Sequence, residues 1–222
     1  MNEIIFPSAE NAPKDLPLAW GGDLNPDTLI SAYSQGIFPW YSENDPILWW
    51  SPDPRLILYL NDLRVRKSLK RVIKSNKFEI KFDTNFKKIV KECSKIPRKT
   101  EDGTWIQEEI IEAYSELYEL GYAHSVESYL NGELVGGLYG VSLGKAFFGE
   151  SMFAKVSDAS KVTFVALVQK LREWEFDFID CQVPTEHLKS LGAVEISRDR
   201  FLKELKISLN KKFHIGKWYE RR

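Results

Sequence analysis

In DFIDCQV, residues 177–183, a carboxylate and a carboxamide stand two positions apart in a strand-like run. Strand side chains alternate, so Phe178, Asp180 and Gln182 are expected on one face and Ile179, Cys181 and Val183 on the other. Polar side chains on a central strand are costly unless partnered. They read either as a buried pair satisfied by backbone groups or water, or as a dyad that orients a reacting amine or alcohol. An amide is a poor proton acceptor, so Gln182 would hold a group through its carbonyl, and Asp180 is the better orienter or base. Glu150, in AFFGESMF, is a second candidate. Phe147, Phe148, Met152 and Phe153 supply apolar walls around it, and Gly149 permits close backbone approach. A lone carboxylate in such surroundings should have a raised pKa unless a cation meets it, which marks a site candidate, although structural ion pairs do the same.

A third candidate is basic. Between Arg64 and Lys77 stand seven Lys/Arg with no acidic residue. Such a stripe, with Arg66, Lys70 and Lys74 on it, suits phosphates, and each contact would be sensitive to salt. Its bland alternative is a solvated helix face, though such faces normally mix both signs. The wider charge pattern agrees: residues 61–100 hold fourteen Lys/Arg against four Asp/Glu, and residues 101–150 hold ten Asp/Glu against one lysine, within a net charge of −1. Two adjacent blocks of opposite sign suggest two differently charged partners, or simply two solvated faces.

Positioning these groups falls to a regular stretch after residue 60. A helix is expected over LRVRKSLKRVIKSN, with Leu63, Leu69, Val72 and Ile73 inward, then a strand FEIKF, and helices near 85–93 and 107–120. AHSVESYL and ELVGGLYGVS flank an Asn131–Gly132 hairpin turn. AFFGESMF, a helix started by Ser157 or Asp158, the DFIDCQV strand, a short helix TEHLKSLG and a last helix near 199–209 complete the pattern. Helices, antiparallel strands, then alternating strand and helix imply an α+β (mixed α/β) fold: a central mixed sheet with helices on both faces. Before residue 60 the chain reads as turns around one helix, with Asn25 as cap, Pro26 at its first position and Gly36 as its stop. A small N-terminal layer, 1–60, therefore precedes a larger part, 61–222.

The segment IFPWYSENDPILWWSPDPR, residues 37–55, sets three tryptophans among four prolines. Proline at that density makes loop or broken strand. Its aromatics either pin the N-terminal layer to the rest or offer a platform to a flat ligand. Trp49 and Trp50, if extended, point to opposite sides and serve mainly as the pin. Trp40 is the candidate platform.

Several classes are poorly supported. There is no GxxxxGK[ST], no GxGxxG after a strand, no HExxH and no GxSxG, so ATP-hydrolysing, dinucleotide-dependent and zinc chemistry have no sequence basis. His124, His187 and His214 lack metal-ligand spacing and are read as structural. No run of about 18 uncharged apolar residues exists to span a membrane. The start MNEIIFPSAENAPKD does not read as a secretory signal. Cys93 and Cys181 cannot form a disulfide framework, so a reduced, cytoplasmic compartment is expected.

The runs GGDL (21–24), GIFPW (36–40), DPILWWSPDPR (45–55), GTWI (103–106), ELGYAHSVE (119–127), ELVGGLYGV (133–141), FGESMF (148–153), DCQ (180–182) and SLGA (190–193) resemble, in order, the bacterial leucyl/phenylalanyl-tRNA–protein transferase family. The resemblance covers nearly the whole chain. It implies an acyl-CoA N-acyltransferase-like (GNAT-like) fold for residues 61–222. It also implies an enzyme that needs no cofactor and moves Leu or Phe from Leu-tRNA or Phe-tRNA. The acceptor is the α-amino group of proteins with N-terminal Arg or Lys, which are thereby marked for N-end-rule degradation. Carried over by resemblance, Trp40 and Trp105 stack on the terminal adenosine, and Glu150, Asp180 and Gln182 are the polar catalytic-site residues. Phe147 and Met152 line the side-chain pocket. Leu138 stands where the family carries methionine, a volume-conserving change. QEE after GTWI departs from the family's more polar or basic continuation. Two rivals are an acyl-CoA-dependent N-acyltransferase and a non-catalytic RNA-binding module. The first lacks a Gly-rich pyrophosphate loop before the Ser157 helix; the second has no need of Glu150 or the Asp180/Gln182 pair.

Overall fold

The N-terminal layer is built from very short strands, as its prolines and glycines require. The computed structural model describes residues 6–96 and 106–220. Strands β1 (Ala19–Trp20), β2 (Phe38–Pro39) and β3 (Leu48–Trp50) form an antiparallel sheet in the order β1-β3-β2, with helix α1 (Pro26–Ser34) between β1 and β2. Asn25 occupies the cap position of α1, but its side chain makes no capping bond. Asp23 substitutes: its Oδ1 accepts from Asn25 N at 3.0 Å and Thr28 Oγ1 at 2.6 Å. Gly36 ends the helix at φ +74°, where a Cβ would also meet Leu202 Cδ2 at 2.6 Å. Trp49 is buried, donates Nε1 to Gly21 O at 2.8 Å and meets the edge of Phe6, while Trp50 turns the other way, toward Trp40.

The remaining elements are β4 (Arg55–Tyr59), α2 (Lys67–Lys74), β5 (Glu79–Phe82), α3 (Phe86–Ser94), α4 (Glu108–Glu119), β6 (Ala123–Leu130), β7 (Glu133–Leu143), β8 (Ala146–Ala154), α5 (Ala159–Glu173), β9 (Phe178–Gln182), α6 (Glu186–Ser190), β10 (Val194–Ile196) and α7 (Arg198–Leu209). Their seven strands form one sheet in the order β10-β4-β9-β8-β7-β6-β5. Every neighbouring pair is antiparallel except β8–β9, which α5 joins by a crossover. The mixed α/β class read from the pattern is the one observed. Residues 55–59 lie inside this sheet as β4, between β9 and β10.

Alternation along the strands sorts the two faces. Phe148 and Phe178 pack with α1, α3, α4 and α7 through Tyr33, Phe86, Tyr114 and Phe201, whereas Phe147 and Ile179 pack with α5 through Phe164 and Leu167. The Asn131–Gly132 turn has positive φ at both residues, +53° and +81°, as a type I′ hairpin demands. Helix α2 starts three residues later than the charge stripe suggested. Arg64 N donates to Leu191 O at 2.8 Å, so the preceding segment is extended and tied to the end of α6. At the far edge, Asp83 accepts from Trp218 N at 2.7 Å and from His124 Nδ1 at 2.9 Å, with the Trp218 and His124 rings stacked 4.0 Å apart. Among the described residues, no helix is long and apolar enough to cross a membrane.

Candidate active site

Two local irregularities in the sheet make the site. The parallel pairing of β8 with β9 runs only through Ala146–Phe178, Phe147–Ile179 and Phe148–Asp180, although both strands continue. Beyond it the register of β8 against β7 slips: Gly149 faces Gly140 and Ser151 faces Tyr139, which leaves Glu150 as the extra residue of a β-bulge. A bulge re-aims a side chain, here sending a carboxylate under α1 and α4. Gly140 is obligatory in this geometry, since a Cβ there would collide with Phe148 O.

Glu150 meets three donors and, among the described residues, no cation. Tyr33 Oη donates to its Oε1 at 2.8 Å, Gln182 Nε2 to the same oxygen at 2.8 Å, and Tyr114 Oη to Oε2 at 3.2 Å. The Tyr33 and Tyr114 hydroxyls also touch each other. Burial pushes the Glu150 carboxyl up to about 7; the three hydrogen bonds pull it back, and the Asp180 charge adds to the rise. Burial beside that carboxylate raises both phenols well above their ordinary range. The raised carboxyl expected from the sequence is therefore present, held by neutral donors.

Asp180 and Gln182 do not act from one face. Gln182 has φ +61°, which breaks the strand's alternation and turns its side chain to the cavity lined by Ile179 and Cys181. Asp180 stays behind that wall. It is fully buried in a bidentate pair with Arg55, Nε to Oδ1 at 2.9 Å and Nη2 to Oδ2 at 2.6 Å, and its Oδ1 also accepts from Gln182 N at 2.9 Å. Arg55 Nη1 donates to Gly36 O at 3.2 Å, and the guanidinium lies against the Phe38 and Phe201 rings at 4.8 and 4.4 Å. Asp180 thus fixes the backbone of Gln182 and connects it, through Arg55, to the N-terminal layer.

Six of the residues singled out in the sequence line one cavity of about 350 Å³: Trp40, Leu138, Phe147, Glu150, Met152 and Gln182. Its base is apolar, with Phe164, Leu167 and Ile179 beside them, and its polar end is the Glu150–Gln182 bridge. Trp40 is half-buried at one wall, with its carbonyl accepting from Trp50 Nε1 at 2.5 Å and the two rings 5.5 Å apart. Thr185 and His187, at the start of α6, form another wall. Trp105 lies outside the described residues. Arg66, Lys70 and Lys74 do not reach the cavity; they are exposed and unpaired among the described residues, on and just before α2.

The charge blocks partly answer each other. Lys87 pairs with Glu112 at 2.6 Å and Lys91 with Glu108 at 3.7 Å, where α3 packs on α4. Those acids are neutralised by the neighbouring helix, while the α2 stripe is not. Arg55, Tyr33, Tyr114 and Thr185 escaped the sequence reading, in which His187 is read as structural. Only Arg55 left a signal, a lone cation heading the apolar run RLILY.

Residues 57–206 match the family model described as leucyl/phenylalanyl-tRNA protein transferase, and residues 22–53 match the N-terminal domain of the same family. The chain is 59% identical over 210 residues to a leucyl/phenylalanyl-tRNA–protein transferase of Sulfurimonas denitrificans, covering 94% of this chain and 91% of that one. It is 52% identical to the protein of that name in Nitrosospira multiformis, with 98% and 94% covered. A GCN5-related N-acetyltransferase of Kribbella flavida superposes with TM-score 0.41 at 9% identity, over 78% of this chain and 62% of that one. A likeness this distant adds nothing about chemistry.

Proposed function

Because the chain belongs to the leucyl/phenylalanyl-tRNA–protein transferase family, whose members are aminoacyltransferases, we propose that its cavity receives the aminoacyl end of Leu-tRNA or Phe-tRNA. The residue is passed to the α-amino group of a protein beginning with Arg or Lys, marking it for N-end-rule degradation. One observation carries this reading: a single cavity of about 350 Å³ with an apolar base and a hydrogen-bonded Glu150–Gln182 end. Its size and composition suit a small ligand that is apolar with a few polar contacts. Leu138, Phe147 and Met152 hold the Leu or Phe side chain. Trp40 stacks on the terminal adenine, a contact open to an unpaired 3′ end; Trp105 shares that role by family resemblance.

Aminolysis of an ester needs a neutral amine aligned with the carbonyl and support for the developing oxyanion. Gln182 Nε2 is committed to Glu150, so its Oε1 faces the amine as acceptor in a fixed orientation. Glu150 is itself held by two buried phenols, so flipping the carboxamide would exchange its Nε2–H bond to Glu150 for a contact between two oxygens. Asp180 is a positioning residue, acting through the Gln182 backbone. Arg66, Lys70 and Lys74 meet acceptor-stem phosphates, with salt-dependent contributions. The cytoplasm is where such a substrate occurs, and the division into a 1–60 layer and a 61–222 catalytic part belongs to the same proposal.

The test is incubation of radiolabelled Phe-tRNA with an Arg-terminated peptide, expecting label in the peptide. No label there, together with a thermal shift by acetyl-CoA but not by Phe-tRNA, would favour the acyl-CoA rival.

A further inference from the structure

The reaction leaves one role unfilled: a group that takes a proton from the attacking nitrogen. Among the described cavity-lining residues, four can titrate: Tyr139, Glu150, Cys181 and His187. Tyr139 is fully buried on the opposite face, against Phe86 and Tyr114. Burial pushes the Cys181 thiol up, out of reach of neutral pH. The Glu150 carboxylate oxygens are already taken by Tyr33, Tyr114 and Gln182. His187 differs. The residue lines the cavity and is only partly buried, and its imidazole makes no hydrogen bond with any described residue.

We propose that His187 is the general base and then the general acid of the transfer, a catalytic residue in the cavity that the Glu150–Gln182 bridge also lines. This rests on the aminoacyl-transfer reading above. As the neutral amine's lone pair forms the C–N bond to the ester carbonyl, the unprotonated ring nitrogen of His187 takes the N–H proton. Collapse of the tetrahedral intermediate breaks the bond between the carbonyl carbon and the ribose oxygen, and the imidazolium returns the proton to that oxygen. Protons and charges balance, and no co-reactant is needed.

The surroundings favour the neutral imidazole that a base must be. Burial lowers the His187 pKa, and the Lys161 charge on α5 lowers it further. Lys161 is paired with Asp158 at 3.1 Å, Lys189 on the same helix as His187 is paired with Glu195 at 2.5 Å, Glu186 stands exposed next to His187 in sequence, and Glu150 on β8 lines the same cavity. The placement also suits the substrate. Residues of α6 line the cavity while its end is tied to the segment leading into the basic α2, so the tRNA backbone would pass beside His187.

Single-turnover transfer from Phe-tRNA to an Arg-terminated peptide, measured from pH 5 to 9 in the wild type, His187→Gln and His187→Ala, tests this. Besides the limb from the acceptor amine's own ionisation at about 7.7–8.0, the wild type should show a separate ascending limb that levels off below the ordinary histidine pKa of about 6.5. His187→Gln should lose about 100-fold or more in kcat with KM for Phe-tRNA unchanged, as loss of a general base does, and should lose that limb. Free imidazole should restore His187→Ala in proportion to its unprotonated fraction. Near-normal kcat in His187→Gln, or absence of rescue in His187→Ala, overturns the assignment. Failure of the wild type itself to label the peptide would instead overturn the transfer reading.

Discussion

Asp180→Asn separates chemistry from positioning. The substitution keeps the shape of the side chain but removes a charge that lies fully buried against Arg55, at 2.6 and 2.9 Å. It also places an amide donor or a neutral oxygen opposite a guanidinium donor. Removing one partner of a buried pair costs about 3–5 kcal/mol, because the remaining charge is stranded. For a chain of this size each kcal/mol moves Tm by about 2–4 °C, so a fall of roughly 6–20 °C is expected by calorimetry. Replacing both partners by leucine, in Arg55→Leu/Asp180→Leu, should recover much of that loss, less about 1–3 kcal/mol for the orphaned Gln182 N–H. Transfer per folded molecule, measured well below the lowered Tm, should stay within about tenfold of wild type, short of the 100-fold or greater loss a catalytic base would give. An Asp180→Asn protein whose Tm moves by under about 2 °C while its single-turnover rate collapses would refute this account and return Asp180 to the chemistry.

Other perturbations have equally definite outcomes. Glu150 has a folded pKa near 7, above its ordinary 4.5, so it favours the folded state below pH 4.5 and that contribution is lost as pH rises toward 7. Denaturation curves at pH 4.5, 6 and 8 should show this decline in the wild type and not in Glu150→Gln. Trp40→Ala should weaken Phe-tRNA binding by about 1–3 kcal/mol with a small change in Tm, whereas Trp49→Ala, at a fully buried site, should cost about 3–5 kcal/mol of stability in a denaturant titration. Replacing Arg66, Lys70 and Lys74 together by alanine should reduce the slope of log K against log salt by about 2–3 without altering Tm, since all three are exposed and unpaired among the described residues. An unchanged slope would remove α2 from the tRNA interface.

Much of the architecture was legible because it follows from local rules. Alternation placed Trp49 and Trp50 on opposite sides, and Asn131–Gly132 named its own turn, whereas Phe147 and Phe148, read together as walls around Glu150, pack on opposite faces of the sheet. The site was legible mainly as composition: an apolar strand carrying Glu150, and a strand carrying a carboxylate and an amide. What failed is non-local. The alternation rule put Asp180 and Gln182 together, and one left-handed residue at the end of β9 parted them. Arg55, the partner of Asp180, is 125 positions away, and no pattern in either segment announces the pair. The bulge that aims Glu150 depends on a register between two strands, and register is a property of the pair. His187 looked structural because an isolated histidine on a short helix carries no signal until the cavity beside it is known.

The position of β4 between β9 and β10 sets a timetable for synthesis. Its apolar residues Leu56, Ile57 and Leu58, and the cation of Arg55, are made 125 residues before the aspartate that neutralises that cation. At ribosomal speeds of about 5–20 residues per second, the strand waits roughly 6–25 s for its first neighbour in the sheet. During that interval the nascent chain carries an unpaired, aggregation-prone edge, and the sheet cannot close until β9 and β10 have left the ribosome.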